Sequence, residues 1–315
     1  MMGRMLATLA LACLMASPAA LAQTEPMDAA QAAAIKGDPP FVAPKLTLAD
    51  IPAPAGPAVS LFNGRDLAGW DTWLGYEDPA LTFKKTDAPT YGLNQDRFGV
   101  FSVVTEDGAP ALFITGTTWG GIVHQGTYGD YHLRLEYKWG RNRHPPRANL
   151  PHNNGLLYHS HGAPGAVFGS WMAAVEFEIM LGSVGMVVPV GTHVGIKTKA
   201  GYDPSIIYPM RRFMPNGREV SVEQPAWNVE AATDAEKPVG EWNVLDLYVL
   251  GDRAIHVVNG VPVMEVWGLT RADGPDGKPH PLTQGHIQLQ SEGADTYFRN
   301  ITLVPIRSLP RIVVP

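Results

Sequence analysis

The sequence predicts an all-β protein, an antiparallel sandwich or jelly roll, and three observations favour this fold class. The 33 glycines and 28 prolines among 315 residues disfavour a bundle of helices. Short segments rich in β-branched and aromatic residues recur along the chain, with turn residues between them. The pair Asn259-Gly260 lies between two such segments and is the sequence signal of a tight β-hairpin. Many short strands joined by turns are typical of sandwiches and jelly rolls.

The first 22 residues have the features of an export signal. Arg4 supplies a positive charge, residues 6–15 form an apolar core, and Ala-Leu-Ala at 20–22 resembles a cleavage site. The apolar run is too short for a membrane anchor, so we expect no transmembrane segment. We therefore expect residues 1–22 to be a signal peptide and the mature protein to be periplasmic or extracellular.

Cys13 is the only cysteine, and it lies inside the predicted signal peptide. The mature chain would then contain no disulfide, no thiol nucleophile and no cysteine-bound metal. Acylation at Cys13, as in a lipoprotein, is the alternative, although it would leave an unusually short apolar core.

The composition argues for a neutral or weakly polar ligand rather than nucleic acid. The formal net charge is −6, and no basic run is present to bind phosphates. Eight tryptophans and ten tyrosines are compatible with stacking against sugar rings, although aromatic residues also fill hydrophobic cores.

The remaining chain divides into two parts by composition. Residues 23–57 are rich in alanine and proline without β alternation, which predicts a linker with a short helix at 29–35. Residues 58–315 carry the strand pattern and predict one domain. Its predicted strands are 111–115, 131–139, 155–159, 174–180, 192–196, 242–250, 254–258, 261–267, 286–290 and 296–304. The polar segments 141–153 and 200–240 are too long for hairpin turns and could form the rim of a site.

One predicted strand carries two carboxylates among apolar residues. Side chains alternate along a strand, so Glu176 and Glu178 share one face, about 7 Å apart, while Val175 and Phe177 share the other. Burying a charge is costly, so this face is either a solvated surface or a polar cleft.

Two histidines follow on another predicted strand. His159 and His161 would lie on one face and could bind a divalent metal or share a proton. Solvated histidines at the end of a strand are the alternative. His124, His152 or His193 could supply a third group, but the sequence alone does not bring them together.

Two charged residues near the C-terminus are further candidates. Glu292 could lie at the mouth of a cleft and Arg299 could clamp a ligand oxygen, or both could belong to internal ion pairs that tie down the last strand. Met180 and Leu181 stand where a laminarinase-type pattern has its second glutamate. That difference argues against an ordinary retaining glycosidase, which pairs two carboxylates.

Taken together, these segments resemble the 3-keto-disaccharide hydrolase domain family over about residues 59–306. The order and spacing of the motifs make the resemblance specific. The motifs are Leu61–Trp70, Asn154–His159, Glu176–Ile179, Gly240–Asn243, Val258–Gly260, Ile287–Gln290 and Phe298–Ile301.

The resemblance implies a concanavalin A-like jelly roll of two antiparallel sheets and an exported enzyme that cleaves 3-keto-glycosides or 3-keto-disaccharides. A ketone at C3 acidifies the C2 proton, so a base can remove it and expel the C1 substituent, after which water adds. The candidate catalytic residues are Glu176, Glu178 and His159. The candidate substrate-binding residues are His124, Asn154, Glu292 and Arg299. A divalent metal ion, with His161 as a ligand, is one option for stabilising the enolate.

This sequence departs from the family pattern after the acidic strand. Glu178 replaces the usual glutamine, and residues 180–186 lack the acidic residues that follow in the relatives. A carbohydrate-binding module without catalytic activity is therefore the alternative function.

Overall fold

We describe a computed structural model of the chain over residues 29–206, 210–222, 226 and 228–315. The predicted signal peptide and Cys13 lie outside the described residues. Within these ranges, no helix has the length and apolar character needed to cross a membrane.

The protein is almost entirely β, as the sequence predicts. The described residues form the helix α1 (Ala29–Lys36), a 3-10 turn at Pro79–Leu81, and strands that we number in chain order. The strands are β1 (Thr47–Ala49), β2 (Val59–Ser60), β3 (Trp70–Tyr76), β4 (Thr90–Leu93), β5 (Phe101–Glu106), β6 (Ala109–Ile114), β7 (Gly120–His124), β8 (Tyr131–Arg143), β9 (Asn153–His161), β10 (Ala173–Met180), β11 (Val187–Val190), β12 (Val194–Tyr202), β13 (Arg211–Phe213), β14 (Arg218–Ser221), β15 (Asn243–Leu250), β16 (Arg253–Val258), β17 (Val261–Arg271), β18 (His280–Pro281), β19 (His286–Ser291), β20 (Ala294–Pro305) and β21 (Arg311–Val313).

Two antiparallel sheets form a jelly-roll sandwich, which confirms the predicted fold class. The seven-stranded sheet has the order β11-β10-β9-β19-β7-β3-β4. The twelve-stranded sheet has the order β13-β12-β17-β16-β15-β8-β20-β6-β5, with β14, β18 and β2 pairing at its margins. Some neighbouring strands, such as β9 and β19, come from distant parts of the chain, so residues far apart in sequence meet on one face.

The core lies between the two sheets. Val175, Phe177 and Ile179 of β10 are completely buried. The Phe177 ring stacks on the His256 ring of the opposite sheet, with centroids 4.3 Å apart. Since side chains alternate along β10, Glu176 and Glu178 lie on the outer face of the seven-stranded sheet.

The predicted hairpin at Asn259-Gly260 is confirmed. Both residues have positive φ, 49° and 81°, as a type I′ turn requires, and Val258 pairs with Val261 across it. The Asn259 side chain also accepts a hydrogen bond from the Val244 amide at 2.9 Å, which fixes the turn against β15.

The segment expected to be a linker lies against the domain. The helix forms where the sequence indicates one, and its Ile35 is buried. The buried carboxylate of Asp38 forms ion pairs with Arg211, at 2.8 Å, and with Arg218. The strand β1 pairs with β21 near the C-terminus.

The strand β7 is absent from the sequence prediction because two glycines interrupt its pattern. The strand β7 begins with Gly120-Gly121, which reads as a turn. A Cβ on Gly120 would lie 2.0 Å from the Trp73 carbonyl oxygen, so glycine is needed for β7 to approach β3.

Candidate active site

The outer face of the seven-stranded sheet carries a cleft beside the two glutamates of β10. Glu176 lies opposite Leu157 of β9, and Glu178 lies opposite Gly155. Both carboxylates line this cleft, which is open to solvent on one side.

The cleft has a polar side and an apolar side. Its polar side chains are Arg147, Asn153, Glu176, Glu178, Asn228, Gln290 and Glu292. Its apolar wall is formed by Phe83, Phe168, Trp171, Met180, Val188, Pro189 and Val190, among others. An amphipathic ligand, with hydroxyl groups on its edge and C–H groups on its faces, matches this division.

Gly155 lets the polar groups of the cleft come together above β9. A Cβ at this position would lie 2.1 Å from Glu176 Oε1 and 2.5 Å from Gln290 Oε1. Any larger side chain would therefore displace the carboxylate of β10 or the amide of β19.

The glutamates of the cleft are buried and outnumber the cations. Burial, then the charges of Glu178 and Glu292, raise the pKa of Glu176 well above its usual value, against the opposing effect of Arg147. Burial and Glu292 likewise raise the pKa of Glu178 well above its usual value. Burial raises the pKa of Glu292 to about 7, although Arg147 lowers it. The cluster can therefore hold both a proton and a negative charge near neutral pH.

Many buried polar atoms in the cleft have no hydrogen-bond partner among the described residues. They are Arg147 Nε, Asn153 Oδ1, Glu176 Oε1, Glu178 Oε1, Asn228 Oδ1 and Gln290 Oε1. Buried polar atoms are nearly always paired, and leaving one unpaired costs about 1–3 kcal/mol. A polar ligand or bound water in the cleft would satisfy them.

Arg147 is the cation of the cleft, and the sequence analysis did not single it out. Its Nη1 lies 3.4 Å from Glu292 Oε1, and its side chain is almost completely buried. A Cβ on Gly293 would lie 3.0 Å from Arg147 Cβ, so the arginine packs against a glycine. The only sequence signal was its position in the long polar segment at 141–153.

The structure does not place His159 in the cleft. His159 has a positive φ of 52°, and the pairing of β9 shifts register there, so the alternation of side chains breaks. Its Nε2 lies 3.2 Å from the Gly251 carbonyl oxygen. Burial lowers the pKa of His159 to about 4. The shared face predicted for His159 and His161 rested on strict alternation, which this irregularity interrupts.

Asn154 also faces away from the cleft. Its side-chain nitrogen donates to Thr296 Oγ1 at 3.2 Å, between the two sheets. The preceding residue, Asn153, faces the cleft instead. The predicted asparagine was therefore one position away from the one that lines the cleft.

Arg299 and His124 lie outside the cleft as well. Arg299 donates to Glu136 Oε2 at 2.8 Å and covers the Trp242 ring, so the ion-pair alternative describes it. His124 packs edge-on against Trp70, with centroids 5.0 Å apart. Glu292 is the one predicted substrate-binding residue that lines the cleft.

A second group of chemically active side chains lies apart from the cleft. The ligand atoms of His161, His193 and Asp273 lie within 4.8 Å of one another, so these residues could hold a metal ion. None of the three lines the acidic cleft.

Comparison with known proteins gives one family match and several distant structural similarities. The sequence profile of the 3-keto-alpha-glucoside-1,2-lyase-like domain matches residues 57–304. A proposed glycosyl hydrolase from Parabacteroides distasonis is 18% identical, with a TM-score of 0.44 over 79% of this chain and 94% of that chain. A carbohydrate-binding module from Bacillus subtilis is 10% identical, with a TM-score of 0.33 over 65% of this chain and 91% of its own. A β-glucanase from Bacillus licheniformis is 11% identical, with a TM-score of 0.36 over 80% of this chain and 100% of its own. No curated protein matches the chain.

Proposed function

Because the chain belongs to the family of 3-keto-alpha-glucoside-1,2-lyase-like domains, we propose that its cleft binds a 3-keto-glycoside or 3-keto-disaccharide and cleaves it through removal of the C2 proton. The observation that carries this proposal is the cluster of Glu176, Glu178 and Glu292 around Arg147, with several of its buried polar atoms unpaired. A general base, a general acid and an enolate-stabilising cation are the groups that such a reaction needs.

The proposed reaction proceeds in two steps. A carboxylate takes the C2 proton, the electrons form a C1=C2 double bond, and the C1–O bond breaks as the leaving oxygen takes a proton. Water then adds its hydroxyl group to C1 and its proton to C2, which gives net hydrolysis. No oxocarbenium ion is formed, so the missing laminarinase-type glutamate is no obstacle.

The four charged residues of the cleft have proposed roles. The coupled pair Glu176 and Glu178 supplies one charged and one protonated carboxyl group, with Glu176 as our first choice for the base. Glu292, with a pKa of about 7, exchanges protons with them. Arg147 takes the enolate-stabilising role, for which the sequence analysis considered a metal ion, because it is the cation that lines the cleft.

The apolar wall would orient the sugar. Trp171, Phe168 and Phe83 offer ring surfaces to the C–H faces of a pyranose, while its hydroxyl groups point to the glutamates.

We also propose that the enzyme acts outside the cytoplasm, on the strength of the signal peptide predicted at 1–22. An N-terminus at Gln23 on secreted protein, found by intact mass measurement, would support export, and a retained residue 1 on cytoplasmic protein would contradict it.

The experiment compares two substrates that differ only at C3. Purified protein is incubated with a 3-keto-glucoside that carries a chromogenic aglycone and with the corresponding unoxidised glucoside. We expect release from the keto compound alone. Release from the unoxidised glucoside at an equal rate would indicate an ordinary glycosidase. If the aglycone is released from neither compound, the proposed reaction is contradicted.

A carbohydrate-binding module remains the second candidate, favoured by the absence of acidic residues at 180–186. It predicts that the protein binds the keto-sugar, as measured by calorimetry, without releasing the aglycone.

A further inference from the structure

Three potential metal ligands converge where the two sheets meet beside the cleft. His161 ends β9 of the seven-stranded sheet. His193 immediately precedes β12, and Asp273 follows β17, both of the twelve-stranded sheet. The backbone amide of Ala272 donates to the His193 carbonyl at 2.9 Å, which holds these two chain segments together.

The distances suit one shared ion. His161 Nε2 lies 3.9 Å from Asp273 Oδ2, and the two imidazole rings are nearly perpendicular, with centroids 5.5 Å apart. Nitrogen and oxygen ligands about 2.0–2.2 Å from zinc lie about 3.3–3.6 Å apart at the tetrahedral angle. Small inward movements of the side chains would therefore close the site around an ion.

The hydrogen bonds prepare His161 for coordination. Its Nδ1 lies 2.9 Å from the His159 carbonyl oxygen, which can only accept, so Nδ1 carries the proton and Nε2 presents a lone pair. Metal-binding histidines commonly donate their other N–H to a carbonyl in this way. The side chain of His161 is about 95% buried. Its Nε2 and that of His193 are buried without a hydrogen-bond partner among the described residues.

Asp273 is held in place by Arg271. The arginine donates to both carboxylate oxygens, at 2.6 and 2.9 Å. A carboxylate has about four lone-pair positions, so it can keep these bonds and still bind a metal. The plain alternative is a surface ion pair, but that leaves the buried nitrogens of the two histidines unexplained.

We propose that His161 Nε2, His193 Nε2 and the Asp273 carboxylate bind one divalent transition-metal ion of the zinc type, with water as the fourth ligand. Two imidazoles and one carboxylate suit zinc, cobalt or nickel, whereas calcium and magnesium prefer a larger set of oxygen ligands. The site is separate from the acidic cleft, so the proposal does not depend on the proposed reaction.

The ion would cross-link two chain segments that form the wall of the cleft. His161 directly precedes the loop that carries Phe168 and Trp171, and His193 follows the wall residue Val190. The turn between them is tightly packed, since a Cβ on Gly191 would lie 3.2 Å from the His193 ring. A metal at this point would tie both wall segments to β17 and stabilise the folded state.

The test uses metal-stripped, full-length mature protein and zinc alone. Calorimetry and elemental analysis should give about one zinc per chain. Zinc at about 100 times its Kd should raise Tm by about 5 °C, and cobalt should give the visible spectrum of a four-coordinate ion. His193→Ala, at a half-buried position, should lose the bound zinc and the Tm shift, as should Asp273→Asn.

His280→Ala is the matched control, because His280 is exposed and lies 3.0 Å from Asp276 with no third ligand beside it among the described residues. It should keep the stoichiometry and the Tm shift. The proposal is overturned if wild-type protein binds no zinc, or if His193→Ala and Asp273→Asn bind it as wild type does. Loss of zinc in Glu176→Gln instead would assign the ion to the cleft and also overturn it.

Discussion

Two regions of this protein combine an arginine, glutamate and an aromatic ring, yet they differ in the ratio of carboxylates to cations and in the burial of these side chains. On the outer surface of the twelve-stranded sheet, Arg299 pairs with Glu136 at 2.8 Å and covers the Trp242 ring. In the cleft, the single cation Arg147 lies 3.4 Å from Glu292 while two more buried glutamates stand beside it.

The pKa of the glutamate is lowered in the surface region and raised in the cleft. Partial burial acts to raise the pKa of Glu136, but hydrogen bonds from Asn300 and Arg299 outweigh it and hold that pKa below its usual value. Burial dominates in the cleft and raises the pKa of Glu292 to about 7. The Arg299–Glu136 ion pair, with its carboxylate oxygens hydrogen-bonded, has a structural role. A buried excess of carboxylates with unpaired oxygens, as in the cleft, is typical of a functional site.

The largest expected effect comes from Glu176→Gln, set against Glu136→Gln. If Glu176 is the base, the first variant should lose about 10²–10⁴-fold in kcat on a 3-keto-glucoside, because a positioned base contributes that much. Glu136→Gln should keep wild-type kcat and lose only about 1 kcal/mol of stability. Equal activity of the two variants would remove Glu176 from the mechanism.

The arginines provide the next comparison. Arg147→Gln should lower kcat/KM by about 10²-fold, since it removes the cation proposed for the enolate, and it should also lower Tm by unbalancing a buried cluster. Arg299→Gln should change Tm slightly and leave kcat/KM unchanged. Steady-state kinetics and thermal unfolding separate these effects. The account is wrong about Arg147 if its variant loses stability alone.

The two regions should respond oppositely to pH. Glu292 has a raised pKa, so its protonated form stabilises the fold below about pH 4.5, and that contribution is lost as pH rises through about 7. The change is on the order of 3 kcal/mol. Glu292→Gln should flatten the loss of stability between pH 4.5 and 7 in denaturant titrations. Glu136→Gln should alter only the acid side, because the stabilisation from its lowered pKa is lost as pH falls. An unchanged slope in Glu292→Gln would contradict the raised pKa.

A smaller effect is expected at Gly155. Gly155→Ala places a methyl group within 2.1–2.5 Å of Glu176 and Gln290, so we expect about 1–3 kcal/mol of destabilisation and a higher KM. Gly274→Ala is the control, since its nearest atom, Asp276 Oδ1, lies at an ordinary 3.6 Å. A wild-type KM in Gly155→Ala would show that substrate binding does not require the Glu176 carboxylate and the Gln290 amide to lie close together above β9.

The sequence predicts the fold and half of the site, for identifiable reasons. Strict alternation along β10 places both Glu176 and Glu178 correctly, because no bulge interrupts the strand between them. The same rule fails at His159, where a positive φ turns the backbone, a feature that the residue type does not signal.

Arg147 and Gln290 were missed for another reason. They come from a loop and from a distant strand, and only the pairing of β9 between β10 and β19 brings them to the glutamates. That pairing is a property of the sheet topology, which local sequence patterns do not specify.

The central claim, that the cleft removes the C2 proton, is tested most directly by isotope incorporation. The protein is incubated with a 3-keto-glucoside in D2O, and the released 3-keto-glucose is examined by NMR at early times, after subtraction of the exchange that the free sugar shows without enzyme. The account predicts one deuterium at C2 for each aglycone released by the wild-type protein. Release of the aglycone with hydrogen retained at C2 would contradict it.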